Sequence, residues 1–208
     1  MSCTIGLTGG IATGKSHVSD VLRAAGATVV DTDRISHQLT APGGEALPLI
    51  RGAFGDGVFN GDALDRAALG KRVFSDPEAL ALLNRLTHPL IFREIGRQVG
   101  RAAARGDAVI VLDAPLMYET GLDRVCDEVW STWTDEDTQL SRLMARDGLT
   151  REDARARMDS QMSAMEKRRR AARWIDTSGS LEETAAAAQD AYSALLARLG
   201  AANGGVTQ

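Results

Sequence analysis

Apolar and polar positions fall into blocks whose spacing alternates between strand and helix from the start of the chain. Residues 3–8, Cys-Thr-Ile-Gly-Leu-Thr, read as a short buried strand, and a Gly-rich turn follows. Residues 15–25 read as a helix ended by Gly26, and Ala27–Val30 as a second short strand stopped by Asp31-Thr32-Asp33. Strand, helix and strand at this spacing predict a parallel sheet with crossover helices. Ala108–Leu112, Ala-Val-Ile-Val-Leu, is apolar throughout, which predicts a strand buried on both faces and ending at Asp113. Further strands are predicted at Glu128–Thr132 and Arg173–Asp176.

Residues 34–106 lack a convincing central strand. Leu80, Leu83 and Leu86, then Leu90, Ile91 and Ile95, recur at helical spacing between turn signals such as Gly55-Asp56-Gly57 and Asn60-Gly61-Asp62. Ser75-Asp76-Pro77-Glu78 reads as a helix start, and a last helix of this stretch is expected over about 89–105. Residues 135–146 predict a helix opened by the capping chemistry of Thr134-Asp135-Glu136-Asp137. Residues 150–171 read as helical and solvent-exposed. Leu181–Leu199 predicts a closing helix with Leu181, Ala185, Ala188, Tyr192, Leu195 and Leu199 on its buried stripe. Gly200–Gln208 reads as a frayed polar tail.

Composition narrows the class. The 208 residues are 44% hydrophobic and 25% charged, which suits one globular domain and excludes a disordered chain. No apolar run reaches the roughly 18 residues of a membrane span, and the N-terminus lacks a basic, apolar leader, so a cytoplasmic protein with no membrane partner is expected. Cys3 and Cys126 are too few for a disulfide scaffold and sit at the start of apolar runs, which predicts buried reduced thiols. The net charge of −4 argues against a nucleic-acid partner. That average hides a contrast. Residues 142–173 hold nine Arg and one Lys against five acids, a net of +5, which leaves −9 for the rest. A basic segment on an acidic body suggests an anionic ligand that it covers.

Candidate chemistry begins at Gly9-Gly10-Ile11-Ala12-Thr13-Gly14-Lys15-Ser16, which matches the G-x-x-x-x-G-K-[ST] phosphate loop between a strand and a helix. Glycines let successive backbone N–H groups turn inward around phosphate oxygens, and the helix N-terminus adds partial positive charge. Lys15 is placed for the β- and γ-phosphates and Ser16 for Mg²⁺, so ATP and Mg²⁺ are the expected ligands. His17 stands where a Ser or Thr hydroxyl is common, and it retains a backbone N–H to offer. No Asn-Lys-x-Asp motif is present, which disfavours a GTPase. An insertion after the second strand and an arginine-bearing segment after the fourth are the parts of a small-molecule kinase, in order.

Segments along most of the chain resemble the dephospho-CoA kinase family. They include Ile5–Ser16, Val30-Asp-Thr-Asp33, Asp65–Gly70, Thr87-His-Pro-Leu-Ile91, Leu112-Asp-Ala-Pro-Leu-Met-Tyr-Glu119, Gln139–Asp147, Gln161–Lys167 and Ile175–Gly179. The resemblance implies a three-layer α/β/α kinase with a five-stranded parallel sheet, a helical acceptor-binding insertion and a helical lid. The expected core is 1–33, 95–141 and 174–200, with the acceptor sub-domain at 34–94, the lid at 142–173 and a flexible tail at 201–208. The implied reaction moves phosphate from ATP to the ribose 3′-hydroxyl of dephospho-CoA, with a monomer or weak homo-oligomer as the working form. Asp33 is implied to orient or deprotonate that hydroxyl, although Asp31 and Asp33 could also simply cap the next helix. Asp113 is a candidate either for Mg²⁺ or for the acceptor. His88, Glu119 and Gln161 are candidate acceptor contacts, with a structural role open for the first two. Arg142 and Arg146, one turn apart, share a face suited to phosphate. Ser178 and Gly179 are expected to reach the adenine through backbone groups. The alternatives are a related kinase acting on a nucleoside monophosphate or other small alcohol, and a binding protein that hydrolyses ATP slowly.

Overall fold

A computed structural model describes residues 2–204 of the chain. They divide into two compact units, one running up to Val30 and resuming at Ala102, the other spanning Asp31–Arg101. In the first unit, β1 (Cys3–Gly9) runs into α1 (Lys15–Ala24) and then β2 (Thr28–Asp31). The second unit holds α2 (Thr32–Leu39), α3 (Leu47–Phe54), a hairpin of β3 (Phe59–Asn60) and β4 (Ala63–Leu64), α4 (Arg66–Phe74) and most of α5 (Pro77–Ala104). The first unit resumes with β5 (Val109–Asp113), α6 (Met117–Thr120), β6 (Glu128–Trp133), α7 (Glu136–Asp147), α8 (Arg151–Asp159), α9 (Ala164–Arg170), β7 (Arg173–Asp176) and α10 (Leu181–Gly204).

The sheet order is β2-β5-β1-β6-β7. β1 is central and parallel to both neighbours, with Cys3 opposite Val109 and Ile5 opposite Glu128. β7 extends the sheet parallel to β6, with Ile175 opposite Thr132. Alternation along β1 separates the faces. Ile5 and Leu7 join Val18 and Leu22 of α1 and Ala188, Tyr192 and Leu195 of α10 in one core. On the opposite face a side chain at Gly6 would come 2.8 Å from Met117 Cε of α6, and α9 packs against β1 and β6. Helices on both faces of a five-stranded parallel sheet give the expected α/β/α architecture.

The second unit closes a core of its own. Leu47, Ile50, Phe54, Val58, Phe59, Leu69 and Val73 are buried together, and Leu82, Leu83, Leu86 and Leu90 of α5 pack against them. Pro89 therefore lies inside α5 rather than starting the helix expected at about 89. An interior proline costs a helix about 3 kcal/mol. The leucines on both sides of it bury against the same core, and that burial outweighs the cost. The hairpin at 59–64 turns on Gly61, with φ 62°, where the sequence predicted a turn but no strands.

Three other expectations change. Leu181 is 65% exposed, so the buried stripe of α10 starts later, at Thr184 and Ala188. The polar tail expected from 201 is helical as far as Gly204, while 205–208 lie outside the described residues. The stretch 150–171 is buried only at Ala154, Ala164 and Lys167, with Met158, Gln161, Met162 and Arg168 among its half-buried residues, and Lys167 is fully buried. No helix among the described residues is long and apolar enough to cross a membrane.

Candidate active site

The phosphate loop leaves β1 at its carboxyl end and folds back on its own atoms. Thr13 N–H and Thr13 Oγ1 both donate to Gly10 O, at 3.2 and 2.8 Å. Thr13 Oγ1 also lies 2.7 Å from Thr132 Oγ1 at the end of β6. Thr177 Oγ1 donates to Thr13 O at 2.8 Å, and Gln139 Nε2 to Ile11 O at 3.1 Å. Two later side chains thus hold loop carbonyls, and Thr132 holds the Thr13 hydroxyl. Gly10 is required by its neighbours, because a Cβ there would sit 2.8 Å from both Ala164 Cβ and Gln139 Nε2. Ala12 and Gly14 have φ of 60° and 77°, the left-handed geometry that turns consecutive N–H groups to one side.

Helix α1 then opens at Lys15 on Gly14, with no capping side chain. Helices α2, α4, α7, α8 and α9 are each capped, by Asp31, Asp65, Asp135, Thr150 and Ser163. The first-turn amides of α1 therefore keep their donors for a ligand, beside the positive end of the helix. Thr13 N–H and His17 N–H are the exceptions among the expected loop donors, since Gly10 O and Gly14 O accept them at 3.2 and 3.1 Å. The His17 ring pairs with the Leu181 carbonyl at 2.9 Å, which ties α1 to the start of α10.

Lys15 Nζ forms an ion pair with Asp113 Oδ1, the pair lying largely buried at the carboxyl ends of β1 and β5. Ser16 follows Lys15 and is exposed. A serine hydroxyl and a carboxylate are hard oxygen donors, and both flank Lys15. They fit Mg²⁺, which takes one or two protein oxygens together with substrate phosphates. No group of three or more metal-type side chains occurs among the described residues.

The basic segment is built on this loop. Leu140, Leu143 and Ala154 form a small core joining α7 to α8, with Ile11 and Ala12 packed against it. Arg142 Nη2 donates to Thr177 O at 2.7 Å, which fixes its guanidinium beside the loop after β7. Arg146 is engaged by Asp147, at 2.7 Å through Nε and 3.1 Å through Nη2, and this bonding holds the Asp147 carboxyl below the usual range. Arg157 shares the same carboxylate at 2.8 Å. Arg142 and Arg146, expected together, thus have different partners. In the loop after β7, Ser178 Oγ lies 3.0 Å from Thr134 Oγ1, and Gly179 leads towards Ser180, whose N–H donates to Glu183 at 2.8 Å. A cavity of about 440 Å³ adjoins Gly10 and Ile11 and is lined by Gln161, Met162, Trp133 and Gln139.

Glu119, expected to touch the acceptor, is committed elsewhere. Its Oε1 lies 3.1 Å from Lys167 Nζ and accepts the Met162 N–H at 3.0 Å. Lys167 Nζ also donates to Pro115 O, which Thr8 Oγ1 reaches at 3.1 Å. Burial pulls the Lys167 ammonium below its ordinary pKa, and the Glu119 carboxylate opposes that shift. Nothing in the local pattern singles out Lys167 among its arginine neighbours. Only its place in α9, facing the sheet, does so.

In the second unit, Asp33 occupies the first turn of α2, directly after β2, and Asp31 caps that helix by accepting Arg34 N–H at 2.9 Å. The capping alternative is therefore realised by Asp31. His88 lies within α5, 5.6 Å from the Phe92 ring, and burial lowers its pKa, which favours the neutral imidazole.

The family model for dephospho-CoA kinase matches residues 3–183. A dephospho-CoA kinase of Symbiobacterium thermophilum is 50% identical over 191 residues, covering 91% of this chain and 80% of the relative. One from Syntrophotalea carbinolica is 45% identical over 196 residues, covering 94% and 91%. The solved structure of dephospho-CoA kinase from Campylobacter jejuni superposes with a TM-score of 0.72 at 27% identity, covering 94% of this chain and 98% of that one.

Proposed function

The chain belongs to the dephospho-CoA kinase family, and from that premise we propose which of its residues carry the reaction. The protein is an ATP-dependent kinase that phosphorylates the ribose 3′-hydroxyl of dephospho-CoA, giving coenzyme A and ADP in CoA biosynthesis. The bond from the γ-phosphorus to the β,γ-bridging oxygen breaks, a bond to the 3′-oxygen forms, and the hydroxyl proton leaves.

In our reading the loop Gly10–Ser16 cradles the phosphates through its amides, with support from His17 as the loop enters α1. The uncapped start of α1 beside Lys15 is the observation that carries this. On nucleotide binding Lys15 exchanges Asp113 for the β- and γ-phosphates. Ser16 and Asp113 would hold Mg²⁺, which when bound neutralises charge on the β- and γ-oxygens. Arg142 and Arg146 offer planar donors to the oxygens that gain charge during transfer. Ser178 and Gly179 lie against the adenine. Asp33 holds the 3′-hydroxyl and takes its proton, and His88 and Gln161 contact the acceptor. Glu119 acts indirectly, by fixing Met162 and Lys167. The acceptor sub-domain at 34–94, the lid at 142–173, and a cytoplasmic, monomeric or weakly oligomeric working form belong to the same proposal.

Coupled ADP release tests these roles. Asp33→Asn should lower kcat by at least about 100-fold while ADP affinity stays near that of wild type, the scale expected for a positioned acid–base group. Turnover within threefold of wild type would remove Asp33 from the mechanism. Turnover with a nucleoside monophosphate and none with dephospho-CoA would favour the related-kinase alternative.

A further inference from the structure

A second cavity, of about 430 Å³, opens within the Asp31–Arg101 unit. Arg34, His37, Thr40 and Arg66 supply its polar wall, and Pro42 and Leu64 part of its apolar edge. Two guanidinium groups line it and no carboxylate does. Such one-sided charge in a concave site is a call for an anion.

The arginines are prepared for one. Asp65 caps α4 by accepting Ala68 N–H at 2.9 Å and takes the Asn60 amide at 3.1 Å, which fixes Arg66 as the first residue of that helix. Arg66 Nη2 donates to Thr40 Oγ1 at 2.5 Å and more weakly to His37 O at 3.4 Å. That anchors the guanidinium while its Nε and Nη1 donors meet no protein acceptor among the described residues. Arg34 likewise has no side-chain partner among the described residues, although Asp31 accepts its backbone N–H. An arginine held by one nitrogen with its other donors open suits bidentate phosphate binding.

Position on the helix narrows the ligand. Arg34 and His37 share one face of α2, and Asp33 lies one turn before His37. A helical turn rises about 5.4 Å, which is the order of the separation between a ribose 3′-oxygen and the 5′-phosphate of the same nucleotide. We propose that the pocket of Arg34, His37 and Arg66 is the subsite for the diphosphate of dephospho-CoA. It holds the 5′ side of the ribose while Asp33 meets the 3′-hydroxyl. The inference rests on the reading of Asp33 given above, and it makes the charged linkage of the acceptor, rather than its ribose alone, a determinant of recognition. A neutral alcohol would leave both guanidinium groups unanswered.

The test is calorimetric titration of the ADP-loaded enzyme with dephospho-CoA and with inorganic diphosphate, so that the phosphate loop is already filled. Arg34→Gln is the primary variant, since that side chain has no protein partner to lose. Arg66→Lys is the second, since it keeps the charge and removes the fork. Each should weaken dephospho-CoA about 10- to 100-fold, the range for a lost charge-assisted hydrogen bond. ADP affinity should stay within twofold of wild type. Inorganic diphosphate should compete with dephospho-CoA on wild type and lose that competition in Arg34→Gln. Dephospho-CoA affinity within twofold of wild type in both variants, with wild-type turnover intact, would overturn the subsite. If Asp33→Asn retained turnover while the arginine variants lost acceptor affinity, the subsite would stand and the role of Asp33 would fall.

Discussion

Replacing Lys167 by Met probes the buried clamp that ties α9 to Glu119 and Pro115. The side chain is 0% exposed and Glu119 is 26% exposed, with Nζ 3.1 Å from Oε1. Methionine keeps most of the volume, so the change removes charge and donors rather than packing. Pro115 O keeps Thr8 Oγ1, and Glu119 keeps the Met162 amide. Removing one partner of a buried pair costs about 3–5 kcal/mol, and water reaches Glu119, so the lower end, about 3 kcal/mol, is expected. In a chain of this size that lowers the melting point by about 6–12 °C. All three tryptophans, Trp130, Trp133 and Trp174, lie in the unit containing the clamp, so their fluorescence reports its unfolding. Glu119→Gln should cost a similar amount alone, by leaving Lys167 charged and buried. The double variant should then recover about 2 kcal/mol relative to the sum of the single effects. A Lys167→Met melting point within about 2 °C of wild type, or strictly additive single effects, would refute the reasoning.

Three further outcomes follow from the geometry. Gly10→Ala forces its Cβ against Ala164 Cβ, so ADP affinity should fall at least about tenfold, and Ala164→Gly in the same chain should restore part of it when measured by titration. Arg142→Gln loses the 2.7 Å bond to Thr177 O, and kcat/KM for ATP should fall about 10- to 100-fold, while a fall under twofold in coupled assays would free Arg142 from the site. Hydrogen bonds from Arg97 and Gln98 lower the Glu94 carboxyl to about 2. Its stabilising contribution is therefore complete above the unfolded value of about 4.5 and is lost as pH falls through about 2. The urea midpoints of wild type and Glu94→Gln should accordingly differ at pH 7 and converge towards pH 2, and a gap that did not shrink would sink the assignment.

Elements whose signal is local were readable from the sequence. Val109–Asp113 is apolar at every position up to its final Asp and buried at every position, because a central parallel strand faces helices on both sides. The caps at Asp135 and the loop at Gly9–Ser16 carry their geometry in adjacent residues. What depended on distant neighbours was not readable. Pro89 looks like a boundary until the leucines on both sides of it bury against one core. Lys167 looks like its exposed neighbours, and only the packing of α9 on the sheet distinguishes it. Arg34 and Arg66 are far apart in sequence, and the turn at Thr40 that brings them to one wall has no motif of its own.

The central place of β1 has a consequence for how the protein is made. β1 leaves the ribosome before either of its partners and is hydrogen-bonded on both edges by strands that follow the insertion, with Cys3 opposite Val109 and Ile5 opposite Glu128. Until the ribosome has released residues through Asp113, Ile5 and Leu7 have neither edge of their strand covered, and the second edge waits for Trp133. The Asp31–Arg101 unit has its own core and is complete well before then. Synthesis therefore delivers the insertion folded and the phosphate loop unformed. Nucleotide binding waits on the slowest class of contact, parallel pairing across a long stretch of chain. During that interval the nascent chain exposes an unpaired apolar strand, the kind of segment that chaperones hold and that aggregates when they do not.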